Sequence, residues 1–77
     1  MGTVGERLRY GRRRLGWNQA ELARAAGVGP ATVKRAEAGV TAPRPGTARK
    51  LAAALGVRVA WLTIGEQPML EDKEGWA

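Results

Sequence analysis

The stretch N-Q-A-E-L-A-R-A-A-G-V-G-P-A-T-V-K-R-A-E-A-G, residues 18–39, decides the fold. Asn18 suits a helix N-cap, and Glu21 three residues later suits the reciprocal bond of a capping box. The helix then runs from Gln19 to about Ala26, with Leu22, Ala23 and Ala26 on its buried side. Gly27 ends it, because glycine tolerates the left-handed backbone of a tight turn. Pro30 follows Gly29 and fits the first position of a second helix, where no N–H is needed. That helix reaches Ala38 and closes at Gly39. Val33, Ala36 and Glu37 share one of its sides, while Thr32, Lys34 and Arg35 fan out over the others. A small residue at position 23 lets the two helices cross closely, glycine 27 makes the corner, and the apolar anchor Val33 pins the second helix. Such a pair leaves the N-terminal end of its second helix projecting outward. Helix–glycine–helix pairs also occur in ordinary bundles, so the spacing alone does not assign a role.

Outward from this pair the chain continues to read as helices punctuated by glycine and proline, with no sustained alternation for strands. A first helix spans about Thr3 to Leu15, with Thr3 and Glu6 in the T-x-x-E capping pattern. Val4, Leu8 and Leu15 form its apolar stripe. Gly11 and Arg12 interrupt that stripe, and Arg7, Arg9, Arg13 and Arg14 are expected to point elsewhere. A loop over 40–46 holds Pro43 and Pro45. A fourth helix runs from about Pro45 to Leu55 with Leu51, Ala52, Ala54 and Leu55 as core candidates, and a short fifth from Val59 to Ile64 carries Trp61 and Leu62. The reading is an all-α, compact five-helix domain over residues 1–65. Residues 66–77 are left as an acidic C-terminal tail, extended or frayed.

The chain has 77 residues, enough for one small domain with a modest core. Cysteine and histidine are both absent, so disulfides, zinc sites and thiol or serine–histidine catalysis lose their usual residues. No cofactor or metal is expected. The acids are few and scattered, no nucleophile–base set can be assembled, and an enzyme is not expected. No apolar run is long enough to span a bilayer, and no signal-peptide pattern opens the chain. Helix one has an arginine face, but its apolar stripe includes Gly11 and Arg12 and has no bulky aromatic for a membrane surface. The protein is expected to be soluble and cytoplasmic, without membrane contact. Thirteen Lys and Arg oppose seven acids, a net charge of +6. The first fifty residues hold eleven bases against three acids, and the rest two bases against four acids. This asymmetry fits a basic face for a polyanion, or simply charge that keeps the protein in solution.

The run from Trp17 to Gly39 resembles the core of the Cro and phage-repressor helix-turn-helix family of transcriptional regulators. The later T-A-R-K-L-A-A-A-L-G-V-R-V-A-W-L, residues 47–62, is similar to that family's fourth and fifth helices. The resemblance covers roughly residues 4–65. It implies a repressor-like domain that binds double-stranded DNA sequence-specifically, with its third helix in the major groove. It also implies a homodimer, at least on DNA, facing a two-fold symmetric operator. Pairing would run through helix five and the loop before it.

The same resemblance places the candidate DNA-binding residues. Asn18 and Gln19 match the corner that meets phosphate, where a helix N-terminus offers free N–H groups. Asn18 could equally be only a cap. Gly29, Pro30, Ala31, Thr32, Lys34 and Arg35 match the positions that face DNA. Arg35 is suited to guanine N7 and O6, and Lys34 to phosphate. Pro30 and Ala31 depart from the hydrogen-bonding side chains common in relatives, which shifts base reading onto Arg35 and onto DNA shape. Arg44, before helix four, is expected at phosphate, with Arg49 and Lys50 less directly placed. Arg12 and Glu37 match a buried Arg–carboxylate pair that ties helix one to helix three, so Arg12 is read as structural. Trp17 and Trp61 are read as packing residues. A second reading treats the chain as the antitoxin of a toxin–antitoxin pair, with the acidic segment Glu66 to Glu74 as the toxin-binding element.

Overall fold

Two reciprocal capping boxes open the first two helices. Glu6 N–H donates to Thr3 Oγ1 and Thr3 N–H to Glu6 Oε1, while Glu21 N–H donates to Asn18 Oδ1 and Asn18 N–H to Glu21 Oε1. The computed structural model describes residues 2–71 and holds five helices: α1 (Val4–Arg14), α2 (Gln19–Ala26), α3 (Pro30–Ala38), α4 (Pro45–Leu55) and α5 (Val59–Ile64). α3 packs on α1 and α2, α2 on α4, α4 on α5, and α5 returns to α1. The ring of contacts encloses Leu8, Leu22, Val33, Leu51, Leu55 and Leu62. Each such side chain stabilises the fold by about 1.5–3 kcal/mol through removal from water. Trp61 is buried among them, and Trp17 packs half-buried at the edge of the same core. Among the described residues no helix is long and apolar enough to cross a membrane.

The corner between α2 and α3 has the expected geometry. Gly27 sits at φ +72°, and Val28 N–H reaches back to Ala23 O at 3.0 Å, satisfying a carbonyl that the helix end would leave open. Ala23 is buried at the crossing. α1 approaches α3 more closely still: a Cβ placed on Gly5 would lie 2.6 Å from the Glu37 carbonyl oxygen and 2.7 Å from that of Ala36. Only a residue without a side chain allows this contact.

The arginines of α1 depart from the sequence reading. Arg7 does not point away. It is 6 % exposed, and its Nε and Nη2 donate to the carbonyls of Leu62 and Thr63 at the end of α5. Arg9 Nη2 donates to Glu37 O near the end of α3, and Arg14 Nη2 to Leu55 O at the end of α4. Three helices therefore finish against a guanidinium from α1. Open carbonyls and the negative end of a helix dipole favour a cation at that place. Leu15, expected on the apolar stripe, is instead an exposed C-cap.

Residues 66–71 pair with the rest of the domain. Met69 O accepts from Arg58 N–H, Glu71 N–H donates to Gly56 O, and Leu70 forms an antiparallel bridge with Val57. Met69 packs against the core. Arg58 also holds this segment from the side through Gln67 O and a 3.3 Å ion pair with Glu66. The rest of the proposed toxin-binding segment, from residue 72 onward, lies outside the described residues.

Candidate nucleic-acid interface

α3 divides its residues cleanly. Val33, Ala36 and Glu37 are buried, while Ala31, Lys34, Arg35 and Ala38 form an exposed stripe with Pro30 and Gly29 at its head. Inward positions follow the i, i+3, i+4 rule and outward positions do the same half a turn away. Among the described residues, no hydrogen bond or ion pair engages the side chains of Lys34, Arg35 or Arg44. Their charge faces solvent.

The inner side of α3 is fixed by a polar cluster. Arg12 Nε donates to Glu37 Oε2 at 2.6 Å and Arg12 Nη2 to Glu37 Oε1 at 2.9 Å, a bidentate pair. The third donor, Arg12 Nη1, goes to Trp17 O at 2.8 Å. Burial by itself would raise the Glu37 carboxyl. Hydrogen bonds from Arg12 and Gln19, with the charges of Arg12 and Arg9, outweigh it and hold Glu37 below the usual glutamate value. Among the described residues, no buried side-chain nitrogen or oxygen lacks a partner.

An open cleft separates α3 from the start of α4. Thr32, Arg35 and Ala36 line one wall and Thr41, Pro43, Arg44 and Thr47 the other. Arg44 is the N-cap of α4 and no side chain caps that end, so the first turn's N–H groups are presented beside Arg35 and Arg44. No acid occurs between Glu37 and Glu66. The cleft and the exposed stripe of α3 therefore form one basic surface.

The helix-turn-helix family model matches residues 8–62. The chain belongs to the Cro/C1-type helix-turn-helix family. Its fold is also similar to the N-terminal DNA binding domain of SinR from Bacillus subtilis, with a TM-score of 0.74 and 30 % identity over 77 % of this chain and 87 % of that one.

In this Cro/C1-type domain the structure brings Thr32, Arg35 and Arg44 together around the cleft, and Gly29, Pro30, Ala31 and Lys34 are exposed at the head and along the outer stripe of α3. Asn18 is exposed at the start of α2, where its Oδ1 serves as the cap. Gln19 differs from expectation: its amide nitrogen donates inward to Glu37 Oε1 at 3.0 Å. Thr41 and Thr47 join the cleft without having been singled out from the sequence. Thr47 had a legible signal, as a hydroxyl in the first turn after Pro45. Thr41 had none, because its place depends on how the loop folds back against α3. The excess of positive charge also divides in two. Arg7, Arg9, Arg12 and Arg14 bond to the domain's interior and helix ends. Arg13 and Arg24 are exposed on α1 and α2, and Lys34, Arg35 and Arg44 are the exposed cations around α3 and the start of α4.

Proposed function

We propose that this domain binds duplex DNA sequence-specifically as a transcriptional regulator, with α3 laid in the major groove. The observation that carries the reading is the exposed stripe Ala31–Lys34–Arg35, held on a helix whose opposite side is locked by Val33 and the Arg12–Glu37 pair. A rigid helix with unengaged cations on its outer face suits a groove lined by phosphates and base edges. Arg35 reads guanine through a two-donor fork, Lys34 neutralises phosphate, and Ala31 and Pro30 offer only apolar contact, as to a thymine methyl. Arg44 and the open first turn of α4 receive the adjoining phosphate, beside Thr47. Asn18 and the start of α2 meet the backbone on the other flank. The domain acts as a repressor, pairing as a homodimer on a two-fold operator. Membership of a Cro/C1-type family and likeness to a domain named as DNA binding support this assignment.

Selection from randomised duplexes at moderate salt tests it. Enrichment of a motif with two-fold related halves is the expected result, with affinity falling steeply as salt rises because several phosphates are neutralised. Recovery of no preferred sequence would contradict it. The acidic segment favoured by the antitoxin reading gains no support from residues 66–71, whose backbone and Glu66 are engaged within the domain.

A further inference from the structure

Gln19 occupies the first position of α2, at the edge of the proposed interface, yet its amide reaches inward. Nε2 donates to Glu37 Oε1 at 3.0 Å, and the same oxygen accepts from Arg12 Nη2 at 2.9 Å. Glu37 lies in the last turn of α3 and its side chain is 2 % exposed. A buried carboxylate binds donors more strongly than a neutral carbonyl does, so the amide is favoured in this orientation.

The consequence is geometric. α2 and α3 are already joined at one end by the Gly27 turn. The Gln19–Glu37 bond joins the start of α2 to the far end of α3, so the two helices are tied at both ends. Core packing at Ala23 and Val33 holds the pair along its length; the bond at Glu37 adds a fixed point at the end opposite the turn and narrows the range of the crossing angle. That angle sets the direction in which Lys34 and Arg35 leave the domain.

We propose that Gln19 is a positioning residue for DNA recognition, orienting α3 through Glu37. The proposal rests on the DNA-binding reading above. The second N–H of the amide remains available to phosphate, so the test must separate orientation from simple contact.

Gln19→Met keeps the side chain's length and removes its donors, and Gln19→Glu sets a second carboxylate against Glu37. Both would be titrated against the duplex recovered by selection and against a singly mismatched copy, with circular dichroism to confirm folding. Arg12 Nε–H and the α3 amides would be followed by NMR in the free proteins. The expected result is a loss of about fivefold in the matched-to-mismatched affinity ratio, equivalent to roughly 1 kcal/mol of discrimination. For Gln19→Met the slope of affinity against salt should stay unchanged, and in both variants the Arg12 and α3 resonances should shift. Equal weakening on both duplexes with those resonances unmoved would make Gln19 a plain phosphate contact and overturn the proposal. No change in the ratio would overturn it too. Wild-type protein without discrimination would instead remove the DNA-binding reading, and the free-protein spectra would still report whether the tie exists.

Discussion

Arg12 Nε meets Glu37 Oε2 at 2.6 Å in the interior, joining α1 to α3 by a pair whose carboxylate is 2 % exposed. Such a pair is not a large net gain over apolar packing, since both charges must be desolvated. Breaking it is another matter. Arg12→Met should destabilise the domain by about 3–5 kcal/mol, because Glu37 is left buried and charged with fewer donors. Urea denaturation followed by tryptophan fluorescence measures the loss. The double variant Arg12→Met with Glu37→Leu should recover part of it.

The same carboxylate sets a pH dependence. Its folded value is held below the ordinary 4.5. The stability it contributes is therefore present above the unfolded value and is lost as pH falls through the lower folded one. Wild-type protein should weaken progressively on acidification below about pH 4.5. Glu37→Gln, less stable near neutrality, should show a flatter profile in that window. Some slope should persist, because Glu6 is also lowered by hydrogen bonds from the backbone N–H groups of Thr3 and Gly2. Urea midpoints between pH 7 and pH 2 would show whether the two profiles converge.

Glycine substitutions should divide by sign. Gly5→Ala gains helix propensity but drives a methyl to 2.6 Å from the Glu37 carbonyl oxygen, part of a backbone that cannot yield cheaply. A net loss of about 1–3 kcal/mol is expected. At Gly46, in the first turn of α4, the nearest atom to an added Cβ is the far end of Arg49 at 3.9 Å. Gly46→Ala should be neutral or stabilising by about 0.4–1 kcal/mol, through a less free unfolded chain. Thermal unfolding of the two variants gives the comparison directly.

The helix-two to helix-three core of the fold was readable in the sequence because its signals are local. Capping pairs lie three residues apart, Gly27 marks the corner, and Val33, Ala36 and Glu37 repeat at helical spacing. The outer face of α3 followed from the same periodicity. What was not readable depends on partners distant in the chain. The bonding of Arg7 is set by carbonyls of α5 some fifty-five residues away; its place between Val4 and Gly11 on the stripe opposite the exposed Arg13 marks the face but not the partner. Gln19 matches a phosphate-meeting corner by resemblance, whereas its orientation here is decided by Glu37 in the next helix. The return of residues 66–71 against Gly56 and Arg58 likewise has no local signature, since Gly, Pro and acids read as a tail until the pairing is seen.

Lys34 and Arg35 are adjacent, exposed and alike in charge, yet they should differ in effect. Arg35→Ala should reduce discrimination at one base pair by about 1–3 kcal/mol. Lys34→Ala should weaken binding about equally on all sequences and lower the salt slope by about one phosphate. Titrations of both variants on a matched site and its single-pair mismatches, repeated across a range of salt, separate these roles.

Mapping the bound duplex onto the domain by amide chemical shifts tests the central claim most directly. With the selected sequence, the largest shifts should fall on residues 29, 31–35, 44, 46 and 47, while the arginine-rich helix α1 and helix α5 move little. Shifts centred on α1 or α5, with the α3 stripe unaffected, would contradict the account.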